Sequence, residues 1–128
     1  MNPPAATPLG ILLISGGHER AHYALMLATA AAALGRPVTL FATNAGCRLL
    51  LAEAPLLHDP REALLAGCGV ATLATLLEAA EALAIRRIAC EAGLRSEGLA
   101  RATLAEGVEL SGLVTFLSSV GAGQMISL

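Results

Sequence analysis

The chain has no lysine; its eight basic residues are all arginine. That absence excludes Schiff-base chemistry on a lysine amine. Charge of either sign is also scarce. Charged residues make up 14% of the chain, against a usual share of about 25%, while hydrophobic residues make up 55%. So few charges coat a lone sphere poorly, and the composition predicts a homo-oligomer that buries an apolar face. The net charge of −2 offers no electrostatic basis for binding nucleic acid or an anionic membrane. There is no Cys-x-x-Cys pair, so neither a thioredoxin-like redox couple nor a zinc knuckle is supported. Cys47, Cys68 and Cys90 are irregularly spaced and do not read as a disulfide framework. No uncharged run suits a bilayer span: residues 22–35 are too few, and residues 110–128 are broken by serines and glycines. The Pro/Ala-rich leader over residues 1–8 lacks a charged n-region, so a cytoplasmic protein is expected.

What is present fits one α/β domain over residues 9–128. Residues 9–15 form a continuous apolar run closed by Gly16-Gly17, as a buried parallel strand does. Residues 19–34 read as a helix, apolar nearly all round and so buried on more than one side. Gly35 stops it, and residues 38–42 form a second strand. Residues 43–69 are less regular, with a short helix over 60–66 capped by Asp59. Residues 70–84 are a clear helix with Leu73, Leu76, Leu77 and Leu83 on its apolar stripe. Residues 86–90 are the third strand. A helix over 94–105, a strand over 108–110, a helix over 111–120 and a last strand over 124–128 complete the pattern. Alternating strands and helices predict a three-layer, flavodoxin-like fold on a five-stranded, mainly parallel sheet. The expected strand order is 2-1-3-4-5. It makes the first and third strands neighbours and puts Gly17, His18 and Cys90 together at the switch point.

Cys90 is the candidate nucleophile. It ends a strand and precedes a helix start, where a thiolate is favoured by the helix N-terminus and by a nearby arginine. Arg95 is the better electrostatic partner, because Arg86 lies at the far end of the strand. Free cysteine is also among the most buried residue types, and from position alone the two readings stand level. The run His18-Glu19-Arg20-Ala21-His22 fits His-Glu-x-x-His, the zinc-protease helix motif. It opens a helix after a Gly-Gly loop and has no convincing third ligand, so it reads as a chance match. His18 is instead expected to flank Cys90, where a protonated imidazole would favour the thiolate. Gly16-Gly17 could meet an anion but is neither a Rossmann nor a Walker loop, so no cofactor is supported. Cys47, which follows Asn44 and Gly46, reads as a turn residue or a second pocket thiol.

Three segments carry a family resemblance. Residues 11–25, Ile-Leu-Leu-Ile-Ser-Gly-Gly-His-Glu-Arg-Ala-His-Tyr-Ala-Leu, resemble the opening strand, loop and helix of the DsrE/DsrF-like (DsrEFH) sulfur-relay family, and residues 37–43 its second strand. Cys90, then Gly98, then Glu106-Gly107-Val108-Glu109-Leu110-Ser111-Gly112-Leu113-Val114-Thr115-Phe116-Leu117 are similar to a DsrE-like branch in sequence and spacing. The sequence departs from that pattern between Cys90 and Gly98, where Glu91, Gly93, Arg95 and Glu97 replace a more apolar loop. The resemblance implies a sulfur carrier or sulfurtransferase that forms a cysteine persulfide on Cys90. The reading of strand ends and helix starts makes Gly17, His18, Asn44 and Arg95 the candidate binding residues around it. The resemblance also implies trimers or hexamers, and TusA-like or rhodanese-like partners. The rival reading is a non-catalytic oligomeric binding or scaffold module in which Cys90 is structural.

Overall fold

A computed structural model of the chain describes residues 6–128. Most of the expected leader over 1–8 lies outside them. Five strands, β1 (Leu9–Leu13), β2 (Val38–Ala42), β3 (Arg86–Cys90), β4 (Glu109–Ser111) and β5 (Gln124–Ser127), form one sheet whose pairings are all parallel. The helices are α1 (His18–Ala33), α2 (Arg61–Gly67), α3 (Leu73–Ala82), α4 (Glu91–Ser96) and α5 (Leu113–Val120). Two 3₁₀ turns, Asn44–Leu50 and Pro55–His58, bridge β2 to α2. Among the described residues no helix is long and apolar enough to cross a membrane.

The strand order is β4-β3-β2-β1-β5, which corrects the expected 2-1-3-4-5. β1 pairs with β2 and β5, and β2 stands between β1 and β3. The first three crossovers all step in one direction, so right-handed connections put α1, α3 and α4 on one face. The last crossover steps back across the whole sheet and puts α5 alone on the other. Strand alternation agrees with this. Ile11, Leu13, Leu40 and Ala89 pack in one cluster with α1 and α3, whereas Phe41, Ile88 and Cys90 pack with Phe116 and Val120 of α5. The rings of Phe41 and Phe116 stack at a centroid distance of 4.8 Å.

Gly10 lets α5 lie close to the sheet: a Cβ there would strike Val120 Cγ2 and come within 3.0 Å of Phe116 Cζ. Both neighbours are fixed in the smaller core, so they have little room to retreat. Gly10→Val should therefore destabilise by about 2–3 kcal/mol through overpacking, read as a lower urea midpoint with an unchanged slope.

The expected helix over 94–105 is replaced by the much shorter α4. It begins at Glu91 because Cys90 caps it, and it ends at Ser96, with Gly98 close behind in the left-handed region at φ 70°. Residues 97–108 then form turns, tied to the rest of the fold by a bridge between Leu51 and Leu104.

Candidate functional site

Cys90 is the last residue of β3 and the N-cap of α4, and its Sγ accepts the Gly93 N–H at 3.4 Å. Its strand partner across the sheet is Ser111, the last residue of β4. Two residues further on α5 begins, with Gly112 at its N-cap and no side chain capping it. The sulfur therefore stands at the N-terminal end of α4, and its strand partner leads into the start of α5. Cys90 is 8% exposed and packs against Phe41, Ile88, Phe116 and Val120.

The third wall comes from the end of β2. Asn44 has a φ of 51°, a turn conformation that asparagine tolerates better than most residues. Its Oδ1 accepts from Thr43 Oγ1 at 3.3 Å and from Ser96 Oγ at 3.5 Å, joining the β2 turn to α4. Gly93 makes this approach possible, since a Cβ on it would strike the Asn44 backbone nitrogen. The departure from the family pattern at Gly93 thus has a local cause. A glycine inside a helix costs about 1 kcal/mol relative to alanine, and that cost was the signal in the sequence for a close backbone approach.

Cys47 also adjoins the site, as a fully buried residue of the first 3₁₀ turn, and it can donate to Ala42 O at 3.5 Å. Burial pushes its thiol up to about 11, against an opposing hydrogen bond from the Cys90 backbone. It is a packing thiol that does not ionise at neutral pH. Cys68 is exposed and follows α2.

The structure brings Asn44 and Cys90 together and keeps Gly17 and His18 with α1. His18 is buried, and its Nε2 meets Glu62 Oε1 at 2.7 Å. Its ring stacks on His22 at 5.9 Å, and His22 Nε2 meets Ala71 O at 2.8 Å. The two histidines of the His-Glu-x-x-His run thus point their Nε2 atoms at separate partners. They fasten α1 to α2 and to the segment leading into α3. With β2 between β1 and β3, His18 belongs to this fastening and not to the wall around Cys90. Arg95 is exposed and sits in the last turn of α4, because the helix starts earlier than the sequence suggested.

Residues 9–126 match the DsrE/DsrF-like family. No curated protein matches the chain. Among solved structures, the fold is similar to that of the YchN protein from E. coli, with a TM-score of 0.72 at 17% identity. The similarity covers 96% of this chain and 99% of that one.

Proposed function

The chain belongs to the DsrE/DsrF-like family, and from that premise we propose that it is a sulfur carrier that forms a persulfide on Cys90. The observation that carries the reading is the placement of Cys90 Sγ at the end of β3 and the start of α4, where it accepts the Gly93 N–H. The Cys90 thiolate attacks the outer sulfur of a donor persulfide. A Cys90 S–S bond forms, the donor S–S bond breaks, and the donor leaves as a thiolate. Passing the sulfur to a TusA-like or rhodanese-like acceptor repeats the same exchange with the roles reversed. No oxidant is consumed in either step.

Cytoplasmic residence suits this chemistry, because a persulfide carrier needs its thiols reduced. The test is intact mass after incubation with polysulfide. One added sulfur in a Cys68→Ser background, removed by dithiothreitol and lost in Cys90→Ser, supports the proposal. A folded protein with no adduct and a Cys90 inert to iodoacetamide supports the rival scaffold reading instead. That reading is favoured by one observation, the 8% exposure of Cys90.

We further propose a homo-oligomer, a trimer or hexamer, assembled through the α5 face. A parallel sheet is normally covered on both faces, yet here one face carries a single eight-residue helix. Around it Leu113, Val114, Leu117, Met125 and Ile14 are exposed, Val114 at 83%. A second copy suits this surface because the patch is apolar and the chain has little charge to solvate it. The double substitution Val114→Glu and Leu117→Glu should shift the sedimentation coefficient to that of a monomer without loss of helical signal. A wild-type protein that is already monomeric at micromolar concentration would overturn the assembly.

A further inference from the structure

Arg87 is an arginine without a counter-ion. It is 8% exposed, its Nε is buried with no hydrogen-bond partner, and among the described residues it makes no salt bridge. Its neighbour on β3, Arg86, is the ordinary case: it is exposed and paired to Glu109 at 2.6 Å. Alternation along β3 directs Arg87 to the face covered by α1 and α3, away from Cys90. There it lines a cavity of about 190 Å³ together with Leu49, Leu50, Leu57 and Leu77. A guanidinium is rarely left buried and unpaired, because loss of its hydration is then uncompensated.

Three carboxylates, Glu78 and Glu81 of α3 and Glu106 of the loop before β4, stand on the lining of the same cavity, all on exposed residues. Glu106 adjoins Gly107, where a Cβ would come within 2.7 Å of an Arg87 terminal nitrogen. None of the three carboxylates comes within salt-bridge distance of Arg87. A simple anion would satisfy Arg87 but would be repelled by three acidic side chains. A simple cation would satisfy the acids but would be repelled by Arg87. A ligand carrying both charges on adjacent atoms satisfies both, and the leucine wall accepts a short aliphatic chain.

We propose that the Arg87 cavity binds a free α-amino acid with a small aliphatic side chain. The ligand carboxylate lies on the Arg87 fork, which suits bidentate pairing, and the ammonium faces Glu78, Glu81 and Glu106. The site is separate from Cys90 and does not depend on the sulfur-carrier reading.

The test is calorimetric titration of the full chain with L-leucine at millimolar concentration. The controls are 4-methylpentanoate, which lacks the ammonium, and 3-methylbutylamine, which lacks the carboxylate. L-Leucine is expected to bind at least about tenfold more tightly than either control, since each lacks one charge-assisted contact. Arg87→Met should abolish L-leucine binding while leaving the thermal midpoint of the free protein unchanged or raised, because an unpaired buried charge is removed. Arg87→Lys should retain weakened binding. Absence of L-leucine binding to the wild type would overturn the proposal, as would equal binding of the two controls. So would a lowered midpoint of the free Arg87→Met protein with L-leucine binding retained, which would make Arg87 a structural group paired in solution with one of the three glutamates.

Discussion

In a Cys68→Ser background, polysulfide treatment is expected to add one sulfur to the chain. The adduct should survive Cys47→Ser and fall to background with Cys90→Ser. The background substitution matters because Cys68 is exposed and would take up sulfur without any site to retain it. Cys47 should be silent for a quantitative reason. With its thiol pushed up to about 11 by burial, only about one molecule in four thousand is ionised there at pH 7.4, and the thiolate is the attacking species. Cys90 differs in its hydrogen-bond partner: the Gly93 N–H at the start of α4 points at its sulfur. Replacing Cys90 with serine keeps an acceptor for that N–H, so the fold should persist while the loading is lost. Retention of the adduct in Cys90→Ser, or its loss in Cys47→Ser, would move the sulfur site to the 3₁₀ turn.

How much of this was legible beforehand differs from element to element. β2 and β3 have the bounds expected of them, 38–42 and 86–90: β2 is a short, mainly apolar run after Pro37, and β3 is an arginine pair leading into Ile88-Ala89-Cys90. The alternation of Ile88 and Cys90 against Arg87 and Ala89 also follows from sequence, since a strand has only one period. The strand order did not follow. Every order consistent with right-handed crossovers has the same local pattern, and the choice among them is made by which helix faces pack. Part of that choice was visible in α1, whose apolar residues run nearly all round, as suits a helix packed against both the sheet and α3. The consequence for the site is direct. With β2 between β1 and β3, the neighbours of Cys90 are Thr43 and Asn44 of the β2 end rather than His18 of α1.

The short α4 was hidden for a different reason. Cysteine is not among the usual N-caps, so the sequence put a helix start after Cys90 without fixing Glu91 as its first residue. Of the helix expected over 94–105, only residues 94–96 are helical, and residues 97–108 form turns that meet the end of the first 3₁₀ segment. Gly93 and Gly98 were the residues to weigh. One permits a backbone contact, and the other ends the helix in the left-handed region. Family resemblance located Cys90 through spacing to Gly98 and the segment beyond, but spacing along a chain cannot report burial. The 8% exposure of Cys90 emerges only once α5 is laid across the sheet.

Glu62→Ala should destabilise the fold by about 2–3 kcal/mol. Its carboxylate accepts from His18 Nε2 at 2.7 Å, from the Leu73 N–H at 2.7 Å and from the Ala74 N–H at 3.2 Å. The last two are free donors at the start of α3, so one side chain on α2 both caps α3 and holds α1. Charge-assisted hydrogen bonds contribute about 1.5–3 kcal/mol each when their loss strands a buried partner, and here the stranded partner is His18, already lacking a bond at Nδ1. For a chain of this size the loss corresponds to a fall of about 8 °C in thermal midpoint. Glu62→Gln keeps one oxygen acceptor and should cost about half as much. The pH dependence has a definite sign. Burial tends to raise the Glu62 carboxyl, but the hydrogen bonds from His18, Leu73 and Ala74 outweigh it and hold the group below its ordinary value of 4.5. A carboxyl depressed on folding stabilises the protein fully above its unfolded value and loses that contribution as pH falls through the lower, folded one. The stability gap between wild type and Glu62→Gln should therefore be constant near neutrality and close as the solution is acidified below about pH 4.5. A gap that stays constant through that range would show that Glu62 acts through its shape alone, and that its charge plays no part in fastening α1 to α3.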